Sequence, residues 1–557
     1  MLNGIGSRVG IRIRNGESGN RGIGEAETPR HGDLCEDLSA SPRHRATASD
    51  SNRRRPEDAT IETESTHPLL SEIDRFVEST RAAIFVRQVD RLLMIRPDKT
   101  LGLNDSAVKI LAALYNREGR PAAEVLCALS SEVGVPAEQL VTDADGLVQT
   151  LRRILHEDFS PSPNLRLGSF TPAMVRYPTL AEIALTYGCQ NRCAFCYAAS
   201  PLRAREHRMM SVDEVERVMD RIFHEAHVPS LSFTGGEATL RPELPELIAY
   251  GASLGFRVNL ITNGVRAADL SYTRLLSDSG LASAQVSLEA GCAQVHDRIV
   301  GREGAFEQTV AGIRHFQRLG IHVHTNSTLC AANLDAAHDL IRFAGRDLGL
   351  GTISMNMVIR TGTALSRDDM EVSYTEVGRR LPALLDTARS ESVRLVWYSP
   401  IPYCIFNPVL HGLGAKSCAC VSGILSVAPD GEVLPCSSFA QGIGSLLTHS
   451  YESIRRGRAA EYWKKRLYVP PACTECADVD VCAGACPLYW DVAGGFGEIP
   501  RAGAGDTRAR ASWERLRKRG RSYGVGFTVS PRPRVSASDA RALPMQDEQP
   551  TVTHMSR

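Results

Sequence analysis

The chain has 557 residues, enough for three or four domains of about 150 residues each. Lys plus Arg and Asp plus Glu both number 64, so the net charge is zero. That balance excludes a general nucleic-acid binder, which needs a basic excess to neutralise phosphates. The sequence has no run of about 18 apolar residues and no visible signal peptide. We therefore expect a cytoplasmic protein without a membrane or nucleic-acid partner.

The two ends of the chain differ in composition from its middle. Residues 1–70 contain no Phe, Tyr or Trp and are rich in Arg, Gly, Ser and acidic residues. Such a segment buries too little apolar area to offset the entropy lost on ordering, so we predict a disordered tail. Residues 496–557 are rich in Arg, Gly and Pro, and we predict a mostly disordered tail with one short helix at 513–519.

Residues 71–160 have the pattern of a small separate module. Short apolar runs broken by polar residues predict three strands, at 84–86, 92–95 and 101–103. Apolar residues at helical spacing then predict three helices, one starting at Asp105 and the others at 122–132 and 140–155. Three strands followed by three helices indicate a winged-helix-like module.

From residue 175 to 395, apolar runs alternate with helical stretches. The six predicted strands lie at 183–187, 231–234, 258–261, 284–288, 322–329 and 353–358. Ser211 and Glu214 form a capping-box pattern at the start of the first intervening helix. This repeat predicts an α/β fold with a parallel sheet, which is either open or curved into a full or partial barrel.

Eleven of the 15 cysteines fall into two groups. Without export signals, such clustering indicates metal or cluster ligation rather than disulfides. In the first group, Cys189, Cys193 and Cys196 follow the first barrel strand directly. Three thiolates at this spacing can hold three corners of an iron–sulfur cube and leave the fourth iron free to bind a small molecule. The alternative is a zinc site, but zinc wants four protein ligands and no fourth Cys or His is close in sequence.

With Phe195, this first group resembles the Cys-x3-Cys-x-aromatic-Cys signature of the radical S-adenosylmethionine (radical SAM) superfamily. The resemblance implies a six-stranded partial (β/α) barrel of the TIM type, with its active site at the C-terminal strand ends. It also implies that Cys189, Cys193 and Cys196 are catalytic and hold a 4Fe-4S cluster whose open iron binds S-adenosylmethionine (SAM). Reductive cleavage of SAM would give a 5′-deoxyadenosyl radical that abstracts a substrate hydrogen.

Other motifs agree with this family in order and spacing. Gly235, Gly236 and Glu237 end the second strand, and the resemblance assigns them to the methionine amino group of SAM. Glycines allow backbone to approach a ligand closely, and a carboxylate suits an ammonium group. The other SAM contacts that the resemblance implies are Phe195, Asn263, Ser287, Arg298 and Asn326. For Ser287, Arg298 and Asn326, a purely structural role stays open.

The second group, within residues 396–495, comprises Cys404, Cys418, Cys420, Cys436, Cys473, Cys476, Cys482 and Cys486. Its spacing, with a predicted Asp-Gly hairpin at 427–435, resembles the SPASM domain, which carries auxiliary 4Fe-4S clusters. The resemblance implies one cluster on Cys420, Cys436, Cys486 and either Cys418 or Cys404, and a second on Cys473, Cys476 and Cys482. The family pattern ends with a further cysteine that this chain lacks. A spare upstream cysteine, Asp491 or no ligand at all could take the fourth position, and zinc is the alternative for the whole group.

The N-terminal module resembles PqqD-like peptide chaperones, also called RiPP recognition elements. The residues that carry this resemblance are Leu93-Met94, Leu103-Asn104 and the helix through Ile110 and Leu114. It implies that residues 71–160 bind the leader of a precursor peptide as an added strand at a sheet edge. The alternative is a dimerisation or capping domain.

Together, these resemblances imply a peptide-modifying radical SAM oxidoreductase or maturase. Its substrate would be a ribosomally synthesised precursor peptide, which receives a cross-link, an oxidation or a related change. A small-protein or flavodoxin-type electron donor would reduce it. The alternatives are maturation of a protein side chain, as in anaerobic sulfatase maturation, assembly of a peptide-derived redox cofactor, and a non-catalytic iron–sulfur or peptide-binding scaffold.

Overall fold

The computed structural model describes residues 68–96, 99–117, 119–156, 175–200, 208–500 and 507–527. Nearly all of the predicted N-terminal tail, and the predicted C-terminal tail beyond residue 527, therefore lie outside the described residues. The described chain forms two compact units. One contains residues 68–81 and 105–156, and the other contains residues 82–104 and everything from 175 onward. The predicted module of residues 71–160 thus contributes to both units.

The first unit consists of helices packed through their apolar stripes. They are α1 (Pro68–Thr80), α2 (Asp105–Tyr115), α3 (Ala122–Val133) and α4 (Ala137–Leu155). The last three match the predicted helices, whereas α1 was not predicted. Its signal is short, because Leu70, Ile73, Phe76 and Val77 are the only residues on its buried face. The Thr80 hydroxyl lies 2.7 Å from the Tyr115 hydroxyl and so joins α1 to α2.

A three-stranded antiparallel sheet belongs to the second unit. Its strands, in spatial order, are β1 (Ile84–Arg87), β2 (Leu92–Ile95) and β3 (Lys99–Gly102). The three strands match the predicted ones, with β3 beginning two residues earlier. Among the described strands, β3 pairs with β2 alone, so its other edge is open to pairing.

Arg87 fastens this small sheet to the rest of its unit. Its guanidinium donates to the Asp90 carboxylate at 2.8 and 2.9 Å, and to the carbonyls of Tyr177 at 2.8 Å and Pro178 at 2.6 Å. The side chains of Arg87 and Asp90 are only 2% and 4% exposed. This buried ion pair is therefore fully hydrogen-bonded, which is the condition under which such a pair is tolerated.

The main sheet is built on six parallel strands in sequential order, which confirms the predicted α/β fold. These strands are β4 (Leu180–Thr186), β5 (Ser230–Gly235), β6 (Arg257–Thr262), β7 (Ser283–Ser287), β8 (His322–Leu329) and β9 (Thr352–Met357). Each lies within three residues of its predicted position. In the described sheet β4 and β9 do not pair, so the structure is a partial barrel.

Helices connect the strands and cover the outer face of the barrel. They are α5 (Val212–Asp220), α6 (Leu244–Leu254), α7 (Leu270–Asp278), α8 (Ala293–Val300), α9 (Ala305–Arg318), α10 (Ala337–Arg346) and α11 (Tyr374–Ser390). The predicted capping box is confirmed at α5, where the Ser211 hydroxyl accepts from the Glu214 N–H and the Glu214 carboxylate accepts from the Ser211 N–H.

The Cys-rich region extends both ends of the main sheet. The added strands are β10 (Arg394–Trp397), parallel to β9, β11 (Ile424–Val427), parallel to β4, and β12 (Val433–Leu434). β11 and β12 pair antiparallel, which confirms the predicted hairpin. The remaining helices are α12 (Tyr451–Arg456), α13 (Arg458–Lys464), α14 (Val479–Cys482), α15 (Pro487–Ala493) and α16 (Thr507–Ser522).

Helix α16 is longer than the helix predicted at 513–519, and it is packed rather than free. Trp513 is 1% exposed, and its ring meets those of Phe496 and Phe527 edge-on. Within the described part of the chain, no helix combines the length and the apolar character needed to cross a bilayer.

We predict that Arg87→Ala destabilises the protein by about 3–5 kcal/mol, because it leaves the Asp90 carboxylate buried without its partner. Urea unfolding followed by circular dichroism measures the change. The matched control is Arg367→Ala, which removes a pair with Asp369 that also has two hydrogen bonds but lies on the surface, where the two side chains are 43% and 60% exposed. Equal shifts in the unfolding midpoint for the two variants would contradict the role given to Arg87.

Candidate functional site

A cavity of about 290 Å³ lies at the C-terminal ends of the barrel strands, where the loops of a βα barrel gather. We call it the cysteine cavity. Its lining includes nearly all of the residues that the sequence predicted for cluster and SAM binding: Cys189, Cys193, Phe195, Cys196, Gly235, Gly236, Asn263, Ser287 and Asn326. The strand order therefore brings together residues up to 137 positions apart in sequence.

Backbone hydrogen bonds hold the cysteine loop in place from two sides. The N–H groups of Arg192 and Ala194 donate to the carbonyls of Val300 and Ile299, at 2.8 and 2.9 Å, at the end of α8. From the other side, the Thr363 hydroxyl donates to the Cys193 carbonyl at 3.1 Å, and its N–H donates to the Cys196 carbonyl at 3.0 Å. The positions of the three thiols thus depend on α8 and on the segment after β9.

Gly235 and Gly236 are required by contacts with the protein itself. A Cβ atom on Gly235 would lie 2.1 Å from the Thr186 carbonyl oxygen, and one on Gly236 would lie 2.2 Å from the Gly188 carbonyl oxygen. The Gly236 N–H donates to the Thr186 carbonyl at 2.7 Å. These glycines therefore let the end of β5 lie directly against the start of the cysteine loop, and their contact with SAM stays a prediction.

The Glu237 carboxylate is held by hydrogen bonds within the protein, and its contact with an ammonium group stays a prediction. One oxygen accepts from the hydroxyls of Thr239 and Thr262, both at 2.8 Å, and the other accepts from the Asn263 N–H at 2.8 Å. The carboxylate is 1% exposed and serves to join the ends of β5 and β6. Arg298 is exposed on α8, and its contact with SAM also stays a prediction.

Asn263, one of the predicted SAM contacts, interacts directly with a cysteine of the cavity. Its side-chain amide donates to the Cys189 sulfur at 3.8 Å, while its Oδ1 accepts from the Gln190 amide at 3.2 Å. Asn326 is held by its neighbours, since its Nδ2 donates to Asn356 at 2.9 Å and its Oδ1 accepts from the Ser354 hydroxyl at 3.2 Å. Both amides are therefore oriented before any ligand binds.

Two buried carboxyl groups that are not among the predicted site residues also line the cavity. Glu182 accepts from the Ser426 hydroxyl at 2.6 Å, and burial raises its pKa. Glu289 accepts from the Thr328 N–H at 2.8 Å, and burial raises its pKa to about 8. The sequence does mark Glu182, as a lone acidic residue in the apolar run of β4. A glutamate is rarely buried, so one in a buried strand indicates a special role.

The chemistry of the lining fits a cationic cluster with a bound polar ligand. Burial raises the pKa of Cys189 to about 12 and raises that of Cys193 as well, and a bound metal would favour their thiolate forms. Two buried acceptor or donor atoms on the same lining, Asn191 Oδ1 and Ser200 Oγ, have no protein partner. Polar atoms in that situation usually serve a ligand or water.

The auxiliary cysteines fall into two spatial groups. The Cys420 thiol lies beside those of Cys418 and Cys436, which raise its pKa well above the usual value. Cys486 joins them, because burial and then the nearby Cys418 and Cys436 thiols raise its pKa. The other group contains Cys473 and Cys476, joined by a Cys476 N–H to Cys473 carbonyl bond of 3.0 Å, together with Cys482 beside Cys476.

None of these sites has the geometry of a single metal ion. Within the described ranges, no three His, Cys, Asp or Glu side chains converge on one ion position. An iron–sulfur cube makes a different demand, since each of its thiolate ligands binds a different iron.

Residues 183–344 match the radical SAM superfamily. This segment begins in β4, ends in α10 and contains all three cysteines of the cavity. Residues 183–344 form a radical SAM domain. The domain uses a 4Fe-4S cluster and SAM, as predicted.

Curated relatives of the radical SAM domain have more than one activity. The chain is 25% identical over 334 residues to an AdoMet-dependent heme synthase from Nitratidesulfovibrio vulgaris, which covers 57% of this chain and 90% of the relative. It is 28% identical over 324 residues to the PqqA peptide cyclase of Rhodopseudomonas palustris, covering 56% and 82%. It is 29% identical over 280 residues to the subtilosin biosynthesis protein AlbA of Bacillus subtilis, covering 50% and 59%.

Solved structures extend the likeness beyond the radical SAM domain. Streptococcus suis SuiB bound to S-adenosylmethionine superposes with a TM-score of 0.53 at 15% identity, and the match covers 77% of this chain and 99% of SuiB. SuiB bound to its precursor peptide SuiA gives a TM-score of 0.53 at 14% identity. At this level of identity, the likeness shows a shared fold.

We predict that Gly236→Ala lowers stability by about 1–3 kcal/mol, because its Cβ forces the ends of β4 and β5 apart. It should also weaken SAM binding, measured by isothermal titration calorimetry on the reconstituted protein. Gly351→Ala is the matched control, since a Cβ there meets nothing within 4 Å and the residue does not have a positive φ. Wild-type SAM affinity in Gly236→Ala would show that the close approach does not shape the site.

Proposed function

We propose that this protein is a radical SAM maturase that modifies a ribosomally synthesised precursor peptide. The observation that carries the proposal is the open edge of β3, which belongs to the same compact unit as the cysteine cavity. The PqqA peptide cyclase and AlbA support a peptide substrate. The heme synthases match a similar share of the chain, so the preference for a peptide substrate rests on the β3 edge rather than on sequence identity.

The β3 edge has the hydrogen-bonding groups that strand addition needs. The Leu103 N–H donates to the Arg91 carbonyl at 2.8 Å. In an antiparallel pair the hydrogen-bonded positions alternate, so every second residue before Leu103 in β3 also directs its N–H and carbonyl to β2. Thr100 lies between these positions, opposite Met94, and its N–H and carbonyl therefore point to the open edge. An added leader strand would gain main-chain hydrogen bonds there.

A second cavity, of about 570 Å³, connects this edge with the auxiliary cysteines. Its lining includes Thr100, Cys418 and Cys420, all in the same compact unit. Its charged lining residues are Lys416, Lys464, Arg466 and Asp480. A peptide bound along β3 could continue beside the first auxiliary group, where a basic lining favours acidic or carboxylate groups.

In this mechanism, Cys189, Cys193 and Cys196 would hold the catalytic cluster. The hydrogen bonds of the cysteine loop with Val300 and Thr363 would keep them in place. When bound, the cluster and SAM supply a carbon-centred radical that abstracts hydrogen from an unactivated carbon. Asn326 would contact SAM, and its hydrogen bond to Asn356 would orient its amide. Glu289, with its raised pKa, can hold or accept a proton near the reacting carbon.

The second cysteine group would hold auxiliary 4Fe-4S clusters, which would supply electron transfer or contact the peptide. Cys418, Cys420, Cys436 and Cys486 have the grouping of one cluster, and Cys473, Cys476 and Cys482 have most of a second. A small-protein or flavodoxin-type donor would reduce the catalytic cluster. A cytoplasmic setting would suit these oxidation-sensitive thiolates.

We predict that replacing Cys189, Cys193 and Cys196 together by Ala removes all cleavage of SAM. Three clusters correspond to about twelve irons per chain, so the variant should also lose about a third of its iron. Chromatography of 5′-deoxyadenosine and iron analysis after anaerobic reconstitution measure both effects. Cys292→Ala serves as the control, because Cys292 is exposed and outside both cysteine groups. Production of 5′-deoxyadenosine by the triple variant would refute the catalytic assignment.

Strand addition makes a separate prediction for Thr100. Thr100→Pro removes the N–H at the open edge but keeps the bonds of β3 to β2, so leader affinity should fall roughly tenfold, the equivalent of one main-chain hydrogen bond. Thr100→Ala keeps that N–H and should bind like wild type. Fluorescence anisotropy with the labelled peptide encoded beside this gene measures the affinity, and mass spectrometry measures its modification. Equal affinity of the Pro and Ala variants would exclude leader binding at this edge.

A further inference from the structure

The second group of auxiliary cysteines is one ligand short of a complete cluster. Cys473, Cys476 and Cys482 offer three thiolates, whereas an iron–sulfur cube held entirely by the protein takes four. Cys418 lies with Cys420 in the other group and is therefore already committed. A fourth protein ligand therefore has to come from outside these two groups of cysteines.

The segment that follows β10 lies directly against Cys482. The Tyr403 N–H donates to the Cys482 sulfur at 3.5 Å, and the same sulfur lies 4.0 Å from the Ile401 carbonyl oxygen. Cys404 is the next residue after Tyr403, and neighbouring Cα atoms are about 3.8 Å apart. Cys404 therefore directly follows a residue that contacts the second auxiliary group, although 78 positions separate Cys404 from Cys482 in the sequence.

A turn fixes this position. The N–H groups of Ile405 and Phe406 donate to the Pro402 carbonyl at 2.9 and 3.0 Å. The hydroxyl of Tyr403, the residue before Cys404, accepts from the Lys416 N–H at 2.8 Å. Ile401 and Tyr403 are buried and anchor the segment, whereas Cys404, which lies inside the turn, is exposed. Its side chain is thus not committed to the hydrophobic core.

The other candidate ligand, Asp491, is already occupied. Its Oδ1 accepts from the Trp513 indole N–H at 3.1 Å and pairs with the Arg517 guanidinium at 3.0 Å. Both partners come from α16, so this carboxylate holds that helix in place. The two remaining described free cysteines, Cys292 and Cys330, lie at the start of α8 and after β8, in the radical SAM domain.

We propose that Cys404 is the fourth ligand of the second auxiliary 4Fe-4S cluster, together with Cys473, Cys476 and Cys482. This assignment rests on the proposed function, which supplies the cluster itself. The Tyr403 N–H then donates a hydrogen bond to a cluster thiolate, an interaction that tunes cluster potential. The ligand arrives from upstream, out of the segment after β10, and so replaces the cysteine that this chain lacks after Cys486.

The test isolates the auxiliary clusters in the full-length chain. The background variant carries Cys189→Ala, Cys193→Ala and Cys196→Ala, and after anaerobic reconstitution with iron and sulfide it should hold about eight irons per chain. Cys404→Ala is added to this background, and Cys292→Ala is added separately as the matched exposed cysteine. Circular dichroism compares the folding of the variants, and Cys404→Ser provides a near-isosteric second variant.

Iron content, Mössbauer spectra and release of iron to a ferrous chelator are the readouts, and none of them depends on catalysis. Cys404→Ala should fall to between about four and seven irons per chain and release iron to the chelator faster than Cys292→Ala. Its spectrum should lose or alter one of the two cluster components. Cys418→Ala should alter the other component.

Two different failures can be told apart. If the background variant binds no iron, the auxiliary clusters, and with them this part of the proposed function, are absent. If the background variant holds about eight irons and Cys404→Ala matches Cys292→Ala in iron content, spectrum and chelator release, the Cys404 assignment alone is overturned. Loss of the same spectral component in Cys404→Ala and Cys418→Ala would also overturn it.

Discussion

The close approach of the ends of β4 and β5 is the constraint on which the functional site depends. Hydrogen bonds from Gly236 to Thr186 and from Glu237 to Gly188, at 2.7 and 2.8 Å, require backbone without side chains at this crossing. The cysteine loop starts at the same place, so the crossing sets where the first thiol emerges. The bonds from α8 and Thr363 then fix the rest of the loop.

Burial gives the cavity its electrostatic character. Thiols and carboxyl groups sit together in a region with little water, and this raises the pKa of Cys189, Glu182 and Glu289. Burial therefore penalises the charged form of each of these groups. A metal cluster with a positively charged ligand would therefore satisfy the same groups that are costly to ionise in the protein alone.

The Cys-rich region is held by a different balance of forces. It adds β10 and the β11–β12 hairpin to the ends of the barrel sheet, and aromatic contacts such as Trp513 with Phe496 pack its last helix. The cysteines themselves lie in turns and short helices. Metal ligation would join segments that share little apolar surface, as expected for small metal-organised domains.

The six barrel strands, the capping box at Ser211 and the spacing of the cysteine loop could be predicted from the sequence, because they depend on local periodicity and on neighbours in the chain. The sequence could not show that Thr262 hydrogen-bonds Glu237, or that β1–β3 join the unit of the barrel. It also left Cys404 and Cys418 equivalent. Only the tertiary structure separated them, because the contacts of Tyr403 with Cys482 and of Cys418 with Cys420 depend on how distant segments pack.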